Sequence, residues 1–250
     1  MITLGIDIGG TGIKGALVDA ESGQLITGRL RIPTPKPATP GAVTDVVADI
    51  AKNFRHTGPT GITFPGVVKQ GRTLSAANLD PQWVGTDAAK VLSLATGDSV
   101  VVVNDADAAG LAEGRFGAAR DARGLVVLIT LGTGIGSALL YNGTLIPNSE
   151  FGHLKIRGKD AELRASERIR EEKDLSWKKW SGQVAVFLRE LERLLSPDLF
   201  VIGGGISKKA DKFLPHLASR VSVPIVPASM KNEAGIVGAA WLASQTRCPE

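Results

Sequence analysis

A glycine-rich bend near the start of the chain carries an acid, a hydroxyl and a lysine at close spacing. In LGIDIGGTGIKGALV (residues 4–18), aliphatic stretches flank the bend on both sides, which predicts a β-hairpin. Glycines let backbone amides approach an anion closely, and a lysine adds positive charge. We therefore expect phosphate binding at Gly9, Gly10, Thr11 and Lys14. The carboxylate of Asp7 is a candidate Mg²⁺ ligand, directly or through water.

The same glycines also match the dinucleotide-binding fingerprint, Gly10-x-Gly12-x-x-Gly15. That fingerprint requires a helix after the glycines, whereas the pattern here predicts a strand and then a further strand over residues 24–32. A strand meander has no helix N-terminus on which to seat a pyrophosphate. A dinucleotide site is therefore disfavoured, and a purely structural hairpin remains the alternative.

A second copy of the bend occurs in the middle of the chain. Gly132-Thr133-Gly134-Ile135 repeats Gly10-Thr11-Gly12-Ile13, again between aliphatic stretches. Such self-similarity predicts two related halves. We expect the two bends to face each other across a cleft and to hold a phosphate chain from both sides, with Gly132, Thr133 and Gly134 on the second bend. Asp7 has no counterpart in the second copy, so the metal would belong to the first.

An acid follows the most apolar strand in the sequence. Residues 100–103 are four valines, Asn104-Asp105 comes next, and residues 106–114 have a helical pattern. Because α/β folds bind ligands at the carboxyl ends of their strands, Asp105 is a candidate catalytic carboxylate. The alternative is that Asp105 only caps the following helix.

Two further segments contain residues that could bind a substrate. Glu150 and His153 are too few for a zinc site, so hydrogen bonding to a polyhydroxyl substrate suits them better, with simple packing as the alternative for the histidine. The glycine run at 203–205 follows a predicted strand over 198–202. Gly204 and Gly205 could let a donor group lie against the backbone, and a packing turn is an equally good explanation.

Composition excludes several classes of protein. The 250 residues are 43% hydrophobic, which is enough for a large core, and the single cysteine, Cys248, excludes an internal disulfide and a cysteine-rich zinc site. We expect a reducing cytoplasm, because no signal peptide or membrane-spanning run is present. The net charge of +4 permits a polyanionic partner without requiring one. The basic stretch 155–179 contains six acids, so a solvated, ion-paired helix face remains an explanation for it.

Five segments in order resemble the ROK sugar kinases of the actin-like ATPase superfamily. They are Asp7-Ile8-Gly9-Gly10-Thr11-x-x-Lys14, Asn104-Asp105, Leu131-Gly132-Thr133-Gly134-Ile135-Gly136, Glu150-x-Gly152-His153 and Gly203-Gly204-Gly205. The resemblance implies a duplicated, ribonuclease H-like α/β fold with two α/β domains around a cleft. We expect a smaller domain over residues 1–104 plus 232–250 and a larger one over 105–231.

Three more stretches resemble the polyphosphate glucokinases of actinobacteria within that family. They are NDADAAGLAE (104–113), LSWKKW (175–180) and SPDLFVIGGGIS (196–207). The resemblance implies phosphorylation of glucose at its 6-hydroxyl, with mannose accepted by some members. It further implies inorganic polyphosphate or ATP as the donor, Mg²⁺ as the cofactor and a homodimer.

The resemblance also assigns roles to individual residues. Asp105 is expected to be the general base, and the glucose hydroxyls are expected to contact Gly66, Asn78, Asn104, Asp105, Glu150, His153 and Glu162. Many ROK kinases carry a cysteine-rich zinc loop after the Glu-x-Gly-His segment; its cysteines are absent here, so no zinc is expected.

Two other classes of protein are compatible with parts of this resemblance, but the sequence fits them less well. ROK-like repressors carry a helix-turn-helix ahead of the first strand, and only Met1–Thr3 could precede it here, so DNA is not an expected partner. A non-catalytic sugar-binding module remains an alternative. Such a module would not need Asp7, Thr11 and Lys14 on one hairpin.

Overall fold

The computed structural model describes residues 1–246, and Cys248 lies outside the described residues. The strands are β1 Ile2–Ile8, β2 Ile13–Asp19, β3 Gln24–Leu25, β4 Leu30–Ile32, β5 Thr60–Phe64, β6 Val68–Lys69, β7 Arg72–Thr73, β8 Val100–Asn104, β9 Leu125–Leu131, β10 Ile135–Tyr141, β11 Thr144–Ile146, β12 Lys155–Ile156, β13 Lys159–Asp160, β14 Leu199–Gly203 and β15 Ile225–Pro227. The α-helices are α1 Pro40–Phe54, α2 Ala88–Thr96, α3 Asp105–Phe116, α4 Glu162–Ala165, α5 Glu167–Glu172, α6 Trp177–Leu195, α7 Ala210–Ala218 and α8 Ala234–Ser244.

The chain folds into two compact units. Unit 1 comprises Met1–Ala112 together with the described residues from Glu233 on, and unit 2 comprises Glu113–Asn232. The chain therefore passes from unit 1 to unit 2 inside α3, and it returns just before α8.

The sheet of unit 1 has the strand order β3-β2-β1-β5-β8, and β4 also pairs with β2. β1 and β2 are antiparallel, which confirms the predicted first hairpin, whereas β1, β5 and β8 are parallel. The single strand predicted over 24–32 is wrong, because the chain forms β3 and β4 with a break between them. In that break the Thr27 hydroxyl, rather than a backbone carbonyl, accepts the Leu17 amide hydrogen at 3.1 Å.

Unit 2 repeats this arrangement in the order β11-β10-β9-β14-β15, with β10 antiparallel to β9 and with β9, β14 and β15 parallel. The prediction of two related halves is confirmed. The two bends differ by one residue, however. Ile8 pairs with Ile13 around a four-residue bend, whereas Leu131 pairs with Ile135 around a three-residue bend.

Helices pack on these sheets, and the sequence predicts some of their caps, buried faces and boundaries. The pair Thr39-Pro40 predicts an N-cap followed by the first residue of a helix. This cap of α1 is confirmed, since the Thr39 side chain accepts from the Ala42 amide. The amphipathic α6 buries Trp180, Val184, Phe187, Leu188 and Leu191 in the core of unit 2, as its stripe predicts. The polar pattern over residues 161–173 predicts a single helix, whereas the structure has two, α4 and α5. Ser166 is extended between them and its side chain caps α5.

Candidate functional site

The first hairpin of unit 1 places its acid beside its lysine. Asp7 pairs with Lys14 across β1 and β2, and Lys14 Nζ lies 3.1 Å from Asp7 Oδ2. The Thr63 hydroxyl, on the neighbouring strand β5, donates to Asp7 Oδ1 at 2.8 Å. Both charged side chains are partly exposed. The carboxylate is thus held by a cation and a hydroxyl, and the sequence analysis did not identify Thr63.

One hydrogen bond within the bend and one from outside the hairpin stabilise the bend. The Gly9 amide donates to Gly12 O at 3.2 Å, and Arg31 Nη2 donates to Thr11 O at 2.9 Å. A Cβ at Gly12 would lie 2.7 Å from the Arg31 Nε atom, so only glycine fits there without displacing the guanidinium. Arg31, on β4, therefore fixes the bend from a position that local sequence patterns do not reveal.

Asn104 and Asp105 end strand β8 with different roles. The buried Asn104 amide donates from Nδ2 to Gly66 O at 3.0 Å, and its Oδ1 accepts from the Ala106 and Asp107 amides. Asp105 Oδ1 accepts from the Ala106 amide at 2.9 Å, while the residue as a whole is exposed. Asn104 is thus the side chain that caps α3 and ties it to the turn after β5, and the Asp105 carboxylate reaches the surface of unit 1.

Asn78 and Gly66 lie on the turns next to these strand ends. Asn78 has a left-handed backbone, with φ +61°, and a Cβ at Gly10 would lie 3.0 Å from the Asn78 Cβ. A Cβ at Gly66 would lie 2.4 Å from Ser75 O. Within unit 1, Asn78 therefore lies beside the first bend, and Gly66 lies beside Asn104.

In unit 2 an acid contacts the second bend. The Ile135 amide donates to Glu162 Oε2 at 3.4 Å, and a Cβ at Gly134 would lie 2.6 Å from the same oxygen. Glu162 and His153 both lie close enough to Glu150 to affect the pKa of its carboxyl. The pKa of Glu150 is raised, chiefly by partial burial; His153 lowers it and the negative charge of Glu162 raises it further. The residue as a whole is nevertheless exposed.

Two serines hold the segment that carries Glu150. The Ser137 hydroxyl, on β10, donates to Ser149 O at 2.8 Å, and the Ser149 hydroxyl donates to Ser137 O at 2.9 Å. The Phe151 amide donates to Ser137 Oγ. A Cβ at Gly152 would lie 2.2 Å from Ile135 O, so glycine is required for this close approach. Hydrogen bonds thus join the Glu-x-Gly-His segment to β10, the strand that follows the second bend.

His153 has an acidic partner that the sequence analysis missed. Its Nδ1 lies 3.2 Å from Asp160 Oδ2, and Lys155 forms an ion pair with the other oxygen. The hydrogen bond from Lys155 lowers the pKa of Asp160 most, followed by that from His153. Strands β12 and β13 pair Lys155 with Asp160. The Arg157-Gly158 turn, with positive φ at both residues, is the local signal that could have predicted this pairing.

The second bend and the glycine run meet at one edge of the unit 2 sheet. The Gly132 amide donates to Gly134 O at 3.1 Å, and Gly203 pairs with Thr130. Gly204 has φ +84°, and a Cβ there would lie 2.5 Å from Leu131 O. Glycine is therefore required at this position. The predicted donor-binding glycines of unit 2 lie together at the carboxyl ends of β9 and β14.

Two further observations concern metals and membranes. Among residues 1–246, no group of three or more His, Cys, Asp or Glu side chains is arranged to hold a metal ion. No helix in the same range is long and apolar enough to cross a membrane.

Comparison with known proteins connects this geometry to a family. A polyphosphate glucokinase of Mycobacterium tuberculosis is 53% identical over 237 residues, which cover 94% of this chain and 89% of that protein. The corresponding enzyme of Mycobacterium leprae is 51% identical over 94% of this chain and 72% of its own length.

Solved structures are similar over nearly the whole chain. The inorganic polyphosphate/ATP-glucomannokinase of Arthrobacter sp. strain KM has a TM-score of 0.92 and 50% identity, covering 97% of this chain and 98% of that one. A ROK family glucokinase from Streptomyces griseus, in complex with glucose and AMPPNP, has a TM-score of 0.84 and 25% identity, covering 98% and 100%. The fold is that of the actin-like ATPases. Residues 3–166 match the ROK family, and the chain belongs to that family.

Proposed function

We propose that this protein transfers a phosphoryl group from inorganic polyphosphate, or from ATP, to the 6-hydroxyl of glucose. The observation that carries the proposal is the match to the Arthrobacter glucomannokinase, which combines 50% identity with a TM-score of 0.92 over 97% of the chain. The identity to mycobacterial polyphosphate glucokinases supports the same donor and acceptor. The resemblance further supports a cytoplasmic homodimer, and the name of the Arthrobacter enzyme supports mannose as a second acceptor.

Asp105 is the proposed general base. Its exposed carboxylate follows the buried Asn104, whose three hydrogen bonds fix the backbone from which Asp105 projects. In phosphoryl transfer the transition state is loose, so catalysis depends chiefly on alignment and on neutralising charge. An aspartate within hydrogen-bond reach of the 6-hydroxyl can accept its proton in this role.

The glycine bends are the proposed donor-phosphate sites. Amides at Gly10 and Thr11 in unit 1, and at Thr133, Gly134, Gly204 and Gly205 in unit 2, are the proposed donors to phosphate oxygens. Gly9 and Gly132, whose amides close the two bends, are the proposed positions that shape these sites. Lys14 would add a positive charge that offsets the charge developing on the transferred group.

Asp7 is the proposed Mg²⁺ residue. Mg²⁺ in kinases is commonly bound by one or two carboxylates together with waters and substrate phosphates, so a single carboxylate beside the Thr63 hydroxyl fits it. Lys14, 3.1 Å from Asp7, would supply a second positive charge at this site. The ion would supply charge neutralisation at the donor phosphates.

Unit 2 contributes the proposed sugar-binding acids. Glu150 and Glu162 can accept hydrogen bonds from sugar hydroxyls when ionised, and His153 adds a ring nitrogen. Gly66, Asn78 and Asn104 are the proposed sugar-binding positions of unit 1.

The test is a product assay with the purified protein, Mg²⁺ and glucose. Glucose 6-phosphate should form with long-chain polyphosphate and with ATP, as measured by coupled oxidation of the product. Formation with ATP alone would contradict the polyphosphate part and leave an ATP-dependent glucokinase, which the likeness to the Streptomyces griseus enzyme favours. Glucose binding without product from either donor would indicate a non-catalytic sugar-binding protein.

A further inference from the structure

We propose that a cationic surface of unit 2 binds the part of the polyphosphate chain that is not transferred. The cationic surface consists of Arg170, Lys209 and Lys212, around the ring of Trp177, together with Arg168 and Lys208 on the same two segments of the chain. This inference rests on the proposed function, and it extends that function by giving the donor chain a second binding region beyond the glycine bends.

The cationic surface adjoins both donor-binding glycine segments of unit 2. The backbone amide of Arg168, in the first turn of α5, donates to Gly132 O at 3.1 Å. The neighbouring Glu167 lies beside Gly205, where a Cβ would be 3.9 Å from its Oε2. Glu167 also forms an ion pair with Lys209 at 3.4 Å. A phosphate chain that leaves either glycine segment along α5 therefore meets these cations first.

An indole ring holds the cations in place. The Arg170 guanidinium carbon lies 4.3 Å from the centre of the Trp177 ring, and the ammonium groups of Lys209 and Lys212 lie at 5.9 and 6.0 Å. These distances are within the range of cation–π attraction. Trp177 stacks on the buried ring of Phe213, which limits its movement. The surface is thus built on the core rather than on loose side chains.

The acids of α5 pair with three of the five cations of this surface, so the charge that remains is that of Lys208 and Lys212. Each of the three acids on α5 already has a cation, since Glu167 pairs with Lys209, Glu171 with Arg170 and Glu172 with Arg168. Lys208 and Lys212 are exposed and form no ion pair with any described residue. Residues 208–212 contain three lysines and one acid.

The ion-paired helix face raised by the sequence accounts for Arg168 with Glu172 and for Arg170 with Glu171. Lys208 and Lys212 lie outside the stretch 155–179, and Lys212 reaches the same Trp177 ring as Arg170. A linear polyanion carrying one charge per repeat fits such a row of cations.

The test compares two double variants that remove equal charge. Lys208→Ala/Lys212→Ala removes two cations of the surface, and Lys52→Ala/Lys90→Ala removes two exposed helix lysines of unit 1. KM is measured for long-chain polyphosphate and for inorganic triphosphate at several salt concentrations. For the first variant we expect KM for the long chain to rise at least about fivefold at low salt, and its logarithmic salt slope to become shallower by about 1.4, since each lost contact to a single-stranded polyanion removes about 0.7.

Triphosphate has at most two phosphates beyond the one that is transferred, so it offers the surface far fewer charges and its KM should change much less than that of the long chain. A rise in KM no larger than that of the Lys52/Lys90 control, or an equal rise for both donors, would overturn the proposal.

A binding measurement separates this proposal from the proposed function. Calorimetric titration of long-chain polyphosphate, without glucose, should show weaker binding by Lys208→Ala/Lys212→Ala than by the wild type and the control. If no donor yields glucose 6-phosphate, the proposed function fails, and this difference in binding still supports the cationic surface. Equal binding by all three proteins, or no binding by the wild type, would overturn the surface. Thermal unfolding followed by circular dichroism verifies that both variants are folded.

Discussion

Nδ1 of His153 lies 3.2 Å from Oδ2 of Asp160, and Lys155 pairs with the other oxygen of the same carboxylate. A carboxylate can only accept, so a neutral His153 in this contact carries its proton on Nδ1. Its Nε2 is then the acceptor that faces other partners. Asp160 is thus the residue that selects the histidine tautomer, and His153 is the residue that would contact a sugar hydroxyl.

Replacing Asp160 should weaken glucose binding more than turnover. For Asp160→Ala we expect KM for glucose to rise about three- to tenfold, the equivalent of one lost hydrogen bond of about 0.5–1.5 kcal/mol, with kcat nearly constant. Asp160→Asn retains an acceptor oxygen and should recover part of the loss. Nitrogen-15 NMR of the neutral imidazoles should show a larger Nδ1-H population for His153 in the wild type than in Asp160→Ala, with Asp160→Asn between the two.

His56 and His216 are the other histidines of the chain and serve as internal controls in those spectra. Their signals should be the same in the wild type and in Asp160→Ala. An unchanged His153 signal together with an unchanged KM would contradict the assignment of Asp160 as a positioning residue.

Asp105→Asn tests the proposed base. The substitution keeps the size of the side chain and its oxygen facing the Ala106 amide, so α3 should start as before. We expect kcat to fall about 10²- to 10⁴-fold, the usual contribution of a general base, with little change in glucose binding. Steady-state kinetics and glucose titration followed by intrinsic fluorescence measure the two quantities. A loss of less than about tenfold would show that another group accepts the proton.

The Glu150 carboxyl should respond in opposite directions to its two charged neighbours. Burial is the main cause of its raised pKa, but Glu162 raises it further and His153 lowers it. Glu162→Gln removes a negative charge and keeps an acceptor for the Ile135 amide, so the Glu150 pKa should fall. His153→Gln removes the positive charge of the protonated imidazole, which lowers the Glu150 pKa, so that pKa should rise. Carbon-13 NMR titration of the side-chain carboxyl measures both, and shifts of the same sign would contradict this electrostatic description.

The sequence predicts those parts of the fold and site that depend on local patterns. The two hairpins, the Thr39 cap and the strand that ends at Asn104 follow from residue spacing and turn chemistry. The length difference between the bends corresponds to one extra glycine between the aliphatic residues that flank the first bend. Arg31, Thr63 and Asp160 reach the site through strand pairing, and single-sequence patterns contain little information about such pairs.

Glu113 is a buried acid that a helical pattern does not distinguish from a surface residue. It is 1% exposed, and its carboxylate accepts from the amides of Ala118, Ser229 and Met230, all within unit 2. These bonds join the end of α3 to the segment that precedes α8. The side chain therefore holds two distant parts of the chain together.

Glu113→Ala should destabilise unit 2. The substitution leaves several amides without an acceptor, each costing about 1–3 kcal/mol where burial is complete, so we expect the free energy of unfolding to fall by about 3 kcal/mol. Urea unfolding followed by fluorescence measures it. Glu190→Gln, at an exposed i,i+3 pair with Arg193, is the control and should leave the urea midpoint unchanged. Equal midpoints for both variants would show that the Glu113 bonds contribute nothing.

Gly61 marks the closest contact between the unit 1 sheet and α8. A Cβ at Gly61 would lie 1.9 Å from Ala239 O, a backbone atom inside the helix, and one at Gly5 would lie 2.2 Å from Ile236 O. Backbone atoms of a helix cannot move aside singly, so an added methyl group must displace the whole of α8. Overpacking of this kind costs about 1–3 kcal/mol, and occasionally more.

Gly61→Ala should therefore lower the free energy of unfolding by at least about 2 kcal/mol, as measured by urea unfolding. Gly41→Ala in α1 is the matched control, because no atom lies within 4 Å of a Cβ built there. Alanine restricts the unfolded chain and favours the helix, so this variant should gain about 0.5 kcal/mol. The two variants add the same methyl group, and only steric contact with α8 predicts effects of opposite sign. Destabilisation of both to the same extent would rule out that contact as the cause.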